Sequence, residues 1–181
     1  METERLYFRK WKESDAEELF RYACDPKVGP IAGWPPHTSI ENSREIIQSV
    51  LMKEGTFAII LKQTSLPIGC ITLKYAGDTD MTDQEDECEL GYWIGTPYWG
   101  KGLMTEAGKE ILRYAFQDLM MKKVWAGYYD GNLRSKRVQE KLGFRFHHTT
   151  QDVPVPLMNE TRIGHVNCLT YEEWITMQKA E

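Results

Sequence analysis

Two glycines flank a lysine at Gly100, Lys101 and Gly102, just before a segment with helical periodicity. Glycine tolerates backbone conformations that let consecutive N–H groups point at one spot, and a helix N-terminus adds partial positive charge there. Lys101 can add a point charge. The segment therefore fits a phosphate cradle, although it has neither the Walker spacing nor the GxGxxG of a dinucleotide fold. A tight turn that binds no ligand is the alternative.

A second pair of polar residues, Asn132 and Ser135, stands at the start of a predicted helix. The spacing of three residues lets both side chains lie on one side of the first turn. Asparagine is also a common N-cap, worth about 1 kcal/mol. A contact with a ligand and a purely structural cap are therefore both open for Asn132.

The elements that must position these residues are predicted from apolar periodicity and from turn and capping residues. Capping boxes at Ser14, Thr38 and Thr170 predict three helix starts. Gly and Pro residues predict loops at 29 to 37 and 152 to 156. The pattern predicts helices at 14–23, 38–53, 104–119, 133–142 and from 170, and strands at 6–9, 57–61, 68–73, 88–94, 124–129, 144–149 and 163–169. This order is typical of an α/β protein with a mixed sheet and helices on both faces.

The segments from Glu89 to Ala107 and from Asn132 to Phe144 closely resemble the GNAT acetyltransferases, and among them the branch that includes ribosomal-protein N-terminal acetyltransferases. The resemblance extends over the chain, including Gly-Trp-Pro-Pro at 33 to 36. It implies a single GNAT domain over residues 1 to 181, with a central, mostly antiparallel twisted sheet whose central strand pair splays apart. It also implies acetyl-CoA as cosubstrate and no metal.

The pyrophosphate signature of this family is Gln or Arg, two residues, Gly, one residue, and Gly or Ala. It falls on residues 99 to 104, where Gly102 matches and where Trp99 and Met104 depart from the preferred types. Because backbone donors do most of the binding, we expect the ligand to be the same. The resemblance implies these cofactor-binding residues: Trp93, Ile94, Gly95, Trp99, Gly100, Lys101, Gly102, Leu103, Met104 and Asn132.

The resemblance further implies that the strand from Cys88 separates from the strand that begins at Val124, so that the pantetheine arm fills the gap. Glu89 is our candidate general base, acting through water, because it lies on the strand expected to carry the thioester. Glu87 is the reserve candidate on the same face. An outward-facing carboxylate without a catalytic role is the alternative for Glu89.

Ser135 is the candidate acid that protonates the leaving sulfur, a role that the resemblance implies for a hydroxyl near Asn132. Tyr128 and Tyr129 are alternative hydroxyl donors, although buried aromatic residues are more often core. Trp34 and Tyr92 are predicted to line the acceptor pocket, and a backbone N–H near Ile94 or Gly95 is a candidate oxyanion donor.

The charge and composition of the chain argue against several classes of binding partner. A net charge of -5 argues against nucleic acid and anionic membranes. The four cysteines and four histidines lack the spacing of a metal site. The charged N-terminus and the lack of a long apolar segment predict a cytoplasmic protein. A monomer and a homodimer are both open.

The predicted activity is direct transfer of an acetyl group from acetyl-CoA to a primary amine. A peptide α-amine, with a pKa of about 8, demands a weaker base than a lysine amine, with a pKa of about 10.4. The N-terminal α-amine of a protein or peptide is therefore the favoured acceptor, with the acidic residues 78 to 89 attracting a basic partner. The alternatives are a small amine (a polyamine, an aminoglycoside or an amino-acid derivative) and a non-catalytic acyl-CoA-binding sensor.

Overall fold

The computed structural model describes residues 1 to 179, and seven strands form one sheet in the order β1-β2-β3-β4-β5-β7-β6. All neighbouring pairs are antiparallel except β4 with β5. The strands are β1 (Leu6–Arg9), β2 (Thr56–Leu61), β3 (Leu66–Lys74), β4 (Glu87–Ile94), β5 (Lys123–Tyr129), β6 (Arg145–Val155) and β7 (Glu160–Thr170). The prediction of a mixed, mostly antiparallel sheet is confirmed.

The central pair, β4 and β5, separates along its length. The two strands pair at only three positions, from Glu87 with Lys123 to Glu89 with Trp125. Beyond Glu89, β4 continues for five residues along β3 alone. The predicted splay is therefore present and begins at Glu89.

Helices cover both faces of the sheet. They are α1 (Ala16–Ala23), α2 (Gly29–Ala32), α3 (Ile40–Ile46), α4 (Leu103–Arg113), α5 (Leu133–Lys141) and α6 (Tyr171–Gln178). The larger core joins the sheet to α4 and includes Ile111, Phe116 and Trp174. The smaller core joins the other face to α1 and includes Trp11 and Leu19. Burial of apolar surface on both faces fixes the sheet between the two helical layers.

Two predicted helix caps are wrong by one residue. Ser14 lies in a 3-10 turn, and α1 begins after Asp15, whose carboxylate accepts hydrogen bonds from the Lys12 N–H (2.9 Å) and the Arg9 guanidinium (2.6 Å). The ion pair with Arg9 draws Asp15 into the turn. Ser39 caps α3 by accepting from the N–H of Asn42 at 3.0 Å. The predicted capping box at Thr170 is present.

The two predicted loops also contain regular structure. A single helical turn, α2, precedes Gly33, whose φ of 95° ends it. Residues 152 to 155 belong to β6, where Pro154 pairs with Thr161 of β7. Since β6 lies at the edge of the sheet, a proline without an N–H is tolerated there.

Candidate active site

A cavity of about 370 Å³ lies where β4 ends and α4 begins. Gly100 and Gly102, with φ of 72° and 76°, adopt the left-handed conformation that glycine tolerates best. Gly102 is the N-cap of α4, so the first N–H groups of an eleven-residue helix have no partner within the helix. Backbone donors and the helix dipole thus meet at one wall of the cavity, an arrangement that fits the phosphates of acetyl-CoA.

Most of the predicted cofactor-binding residues line this cavity. Gly95 and Lys101 are not among its lining residues. The N–H of Gly95 donates to the Ile68 carbonyl at 2.9 Å, so it is already engaged and is not a free oxyanion donor. The Lys101 ammonium lies over the Tyr98 ring, 5.8 Å from its centroid. The predicted cofactor-binding residues that do line this cavity are Trp93, Ile94, Trp99, Gly100, Gly102, Leu103, Met104 and Asn132.

Trp99, which departs from the family signature, connects two walls of the cavity. Its indole N–H donates to the Ile94 carbonyl at 2.9 Å, and the Arg134 guanidinium stacks 4.0 Å from the indole centroid. Arg134, Arg137 and Lys141 all line the cavity from α5. These basic residues were not predicted to line the site, although their spacing of three and four residues places them along one face of a helix.

Tyr92 and Ser135 join β4 to α5 at the inner end of this cavity. The Tyr92 hydroxyl lies 3.0 Å from Ser135 Oγ and 3.1 Å from the Ser135 carbonyl oxygen. Gln139 donates to Ser135 Oγ at 3.2 Å and to the Gly127 carbonyl at 3.1 Å. Burial raises the pKa of Tyr92, so this phenol is neutral near pH 7.

Buried polar residues hold that network in place. Gln139 is fully buried, and its side-chain carbonyl accepts from Asn167 at 2.7 Å. Asn132 caps α5 by accepting from the Ser135 N–H at 3.2 Å. The roles of Gln139 and Asn167 were not predicted from the sequence. The only signal was the four-residue spacing from Ser135 to Gln139, which indicates a shared helix face.

Glu89 is buried at the start of the splay and lines a second, larger cavity. Its carboxylate accepts from the Lys74 ammonium at 2.7 Å and from the Thr79 hydroxyl at 2.5 Å. Neither partner was predicted from the sequence. The pairing of β3 with β4 places Lys74 opposite Glu89, and a loop brings Thr79 back to it, so both contacts depend on the fold. Strand alternation puts Glu89 on the opposite face of β4 from Tyr92.

Glu87, the reserve base, is engaged in structural contacts. Its carboxylate accepts from the Trp125 indole at 2.6 Å and from the Thr82 hydroxyl at 2.8 Å, and it pairs with Lys123. Burial alone would raise the pKa of Glu87, but these contacts outweigh it and hold the pKa below its usual value. Glu87 does not line either cavity described here.

The second cavity has a volume of about 1170 Å³, and we name it the acceptor cavity after the sequence prediction that Trp34 and Tyr92 line an acceptor pocket. Trp34 lines it and also packs against Trp93, with ring centroids 5.9 Å apart, so its side chain serves both pocket and core. His37 is buried beside Trp34 and lies 2.8 Å from the Ser43 hydroxyl. Burial lowers the pKa of His37, which favours a neutral imidazole in this wall.

The two cavities meet at a shared group of residues. Six residues line both: Ile31, Ala32, Tyr92, Trp93, Asn132 and Ser135. A ligand in the smaller cavity and a second ligand in the acceptor cavity would therefore meet beside the Tyr92 and Ser135 hydroxyls. This arrangement suits transfer of a group between two bound molecules.

No group of three or more His, Cys, Asp or Glu side chains within residues 1 to 179 is arranged to hold a metal ion. None of the helices described over the same residues is long and apolar enough to cross a membrane.

Known proteins are similar to this chain in sequence and in fold. The family model described as Acetyltransferase (GNAT) domain matches residues 5–145. The N-acetyltransferase p20 of Bacillus licheniformis, itself uncharacterized, is 34% identical over 149 residues, which cover 79% of this chain and 80% of that protein. The ribosomal protein uS5-alanine N-acetyltransferase of Escherichia coli is 40% identical over 57 residues, 32% of this chain and 29% of that protein.

A crystal structure of a GNAT-family acetyltransferase from Bacillus anthracis superposes with a TM-score of 0.81 at 25% sequence identity, covering 95% of this chain and 98% of that one. GNAT acetyltransferases use acetyl-CoA, and the glycine loop and helix N-terminus described above fit that ligand. The chain therefore belongs to the GNAT acetyltransferases and is an acetyl-CoA-dependent N-acetyltransferase.

Proposed function

We propose that this enzyme transfers the acetyl group directly from acetyl-CoA to the N-terminal α-amine of a protein or peptide. The observation that carries the proposal is the pair of cavities that meet at Tyr92, Trp93, Asn132 and Ser135. The smaller cavity has the glycine loop and basic side chains suited to the cosubstrate. The acceptor cavity then binds the molecule that carries the amine.

The size and charge of the acceptor cavity support a peptide acceptor. Its volume of about 1170 Å³ exceeds the roughly 300–1,000 Å³ of common small-ligand pockets. Five carboxylate residues and only two lysines line it: Glu54, Asp78, Asp80, Glu89 and Asp152, with Lys53 and Lys74. A cationic N-terminus is favoured by this charge balance. The short match to a uS5-alanine N-acetyltransferase supports the same class of acceptor.

Acetyl-CoA supplies an activated thioester. In the proposed reaction, Glu89 accepts one proton from the acceptor α-ammonium. It acts through water because it lies about 10 Å along β4 from Tyr92 and on the other face of that strand, while both residues line the acceptor cavity. Ser135 gives its hydroxyl proton to the departing sulfur and regains a proton from the acceptor nitrogen. Tyr92 and Gln139 hold the Ser135 hydroxyl in place for this exchange. One proton leaves to solvent for each amide formed.

Asn132 and the glycine loop complete the proposed machinery. Asn132 fixes the first turn of α5 and thereby the position of Ser135. Gly100, Gly102 and the first N–H groups of α4 hold phosphate oxygens. One sheet that includes strands from both ends of the chain supports the proposal of a single catalytic domain.

A free-thiol release assay with acetyl-CoA tests the proposal. The acceptor panel contains peptides with free N-termini, the same peptides with blocked N-termini, spermidine, an aminoglycoside and free amino acids. We expect turnover only with free peptide N-termini. Turnover with spermidine or the aminoglycoside alone would show a small-molecule acetyltransferase, and acetyl-CoA binding without any turnover would support the sensor hypothesis.

A further inference from the structure

Two apolar side chains on the wall of the acceptor cavity are exposed to solvent. Val50 is 50% exposed and Leu157 is 71% exposed, and both line this cavity. Val50 lies in the π-helical turn Ile47–Leu51 that follows α3, whereas Leu157 lies in the turn Pro156–Met158 between β6 and β7. Apolar side chains on the wall of a cavity are available to contact the apolar groups of a bound ligand.

Three carboxylates on the same cavity have no partner among the residues that the structure describes. Glu54, Asp80 and Asp152 are exposed and line the cavity, and within residues 1 to 179 none of their side chains makes a hydrogen bond or an ion pair. Asp86 differs, because it is paired with Lys122 at 2.6 Å. Asp83, Glu85 and Asp86 do not line the cavity. Any attraction of a basic acceptor is therefore centred on Glu54, Asp80 and Asp152.

We propose that the acceptor is an extended N-terminal polypeptide segment with both a basic and an apolar side chain among its first few residues. The basic group pairs with the unpaired carboxylates of the cavity, Asp80 and Asp152 among them, and the apolar group contacts Val50 and Leu157. This inference rests on the proposed function and adds the sequence preference of the acceptor.

Two double variants separate the two contacts. Asp80→Asn with Asp152→Asn removes two of the three unpaired charges at nearly constant shape, and Asn tolerates the φ of 53° at position 152. Val50→Ser with Leu157→Ser removes the apolar surface. The matched controls are Asp83→Asn with Glu85→Gln, and Met120→Ser, which alters a 74% exposed side chain outside the cavity.

The substrates are four eight-residue peptides that differ only at positions two to four: with Lys and Leu, with Lys alone, with Leu alone, and with neither. Thiol release gives KM and kcat, and anisotropy of a C-terminal fluorophore gives Kd without turnover. We expect the carboxylate variant to raise KM and Kd about 5- to 20-fold for Lys-containing peptides only, as two weak ion pairs imply. The apolar variant should raise both about 5-fold for Leu-containing peptides only.

The controls should bind all four peptides like the wild type. Peptide turnover in which neither double variant changes the preference for Lys or Leu by more than twofold would overturn this inference and leave the proposed function standing. Turnover of spermidine without turnover of any peptide would overturn both.

Discussion

The Tyr92 hydroxyl lies 3.0 Å from Ser135 Oγ and joins β4 to α5 where the two cavities meet. β4 and β5 stop pairing at Glu89, three residues before Tyr92, so the hydroxyl pair lies beside the open part of the sheet. We infer that this pair controls proton delivery to the leaving sulfur.

Ser135→Ala should lower kcat about 100-fold, as expected for loss of a general acid. Tyr92→Phe should lower kcat less, because Gln139 still donates to Ser135 Oγ. Steady-state kinetics together with acetyl-CoA affinity from calorimetry check this prediction. The affinity should change less than threefold in both variants, and Ser49→Ala, an exposed serine outside both cavities, should behave like the wild type. An unchanged kcat in Ser135→Ala would contradict the assignment.

Glu89→Gln should lower kcat/KM most at low pH, where the acceptor amine is mostly protonated. Since a neutral amine needs no base, raising the pH toward 9 should recover part of the loss. The measurement is a profile of kcat/KM between pH 6 and 9. Glu87→Gln is the matched variant, and we expect a loss of stability with a pH profile of wild-type shape. A pH-independent loss in Glu89→Gln would favour a structural role through Lys74 and Thr79.

Gly100→Ala should weaken the capture of acetyl-CoA. Gly100 and Gly77 both have a φ in the left-handed region, and an added Cβ would meet no atom within 4 Å at either. Both alanine variants should lose about 1–2 kcal/mol of stability, the cost of a left-handed alanine. Only Gly100→Ala should also raise the Kd for acetyl-CoA, by about 10-fold. Equal Kd values in the two variants, measured by calorimetry, would contradict a role of the glycine loop in binding the cosubstrate.

His37 should make stability depend on pH. Burial lowers the folded-state pKa of His37 below its usual 6.5, so folding favours the neutral imidazole. Its contribution to stability is therefore complete above pH 6.5 and is lost as the pH falls through the lower folded-state pKa. Urea unfolding between pH 5 and 8 should show a shallower loss toward acid in His37→Gln than in the wild type. The exposed His147→Gln should keep the wild-type slope, and identical slopes in all three proteins would contradict this.

Gln139→Leu tests the buried support of the site. The substitution removes the Gln139 partner of the Gly127 carbonyl and of the Asn167 amide, and it leaves Ser135 Oγ with the Tyr92 hydroxyl alone. Buried polar groups left unpaired cost about 1–3 kcal/mol each, so we expect a loss of stability in urea unfolding with a lower kcat. Gln139→Glu keeps one acceptor for Asn167 and should lose less. Wild-type stability and kcat in Gln139→Leu would contradict the supporting role.

Much of the fold could be predicted, because strand and helix patterns depend on local apolar periodicity. The splay followed from the family resemblance, whereas the glycine loop was predicted from Gly100 and Gly102 standing just before a helix. The partners of Glu89 could not be predicted, since Thr79 reaches it only through the course of a loop. Pro154 indicated a loop because its tolerance in β6 depends on that strand being an edge, which is a property of the whole sheet.

The central claim is that the acetyl group passes to a peptide α-amine where the two cavities meet. The most direct measurement is tandem mass spectrometry of a peptide with a free N-terminus and an internal lysine, after incubation with acetyl-CoA and either wild type or Ser135→Ala. We predict acetylation at the α-nitrogen by the wild type and about 100-fold slower acetylation at the same nitrogen by the variant. Acetylation of the lysine side chain, or equal rates in the two proteins, would contradict the account.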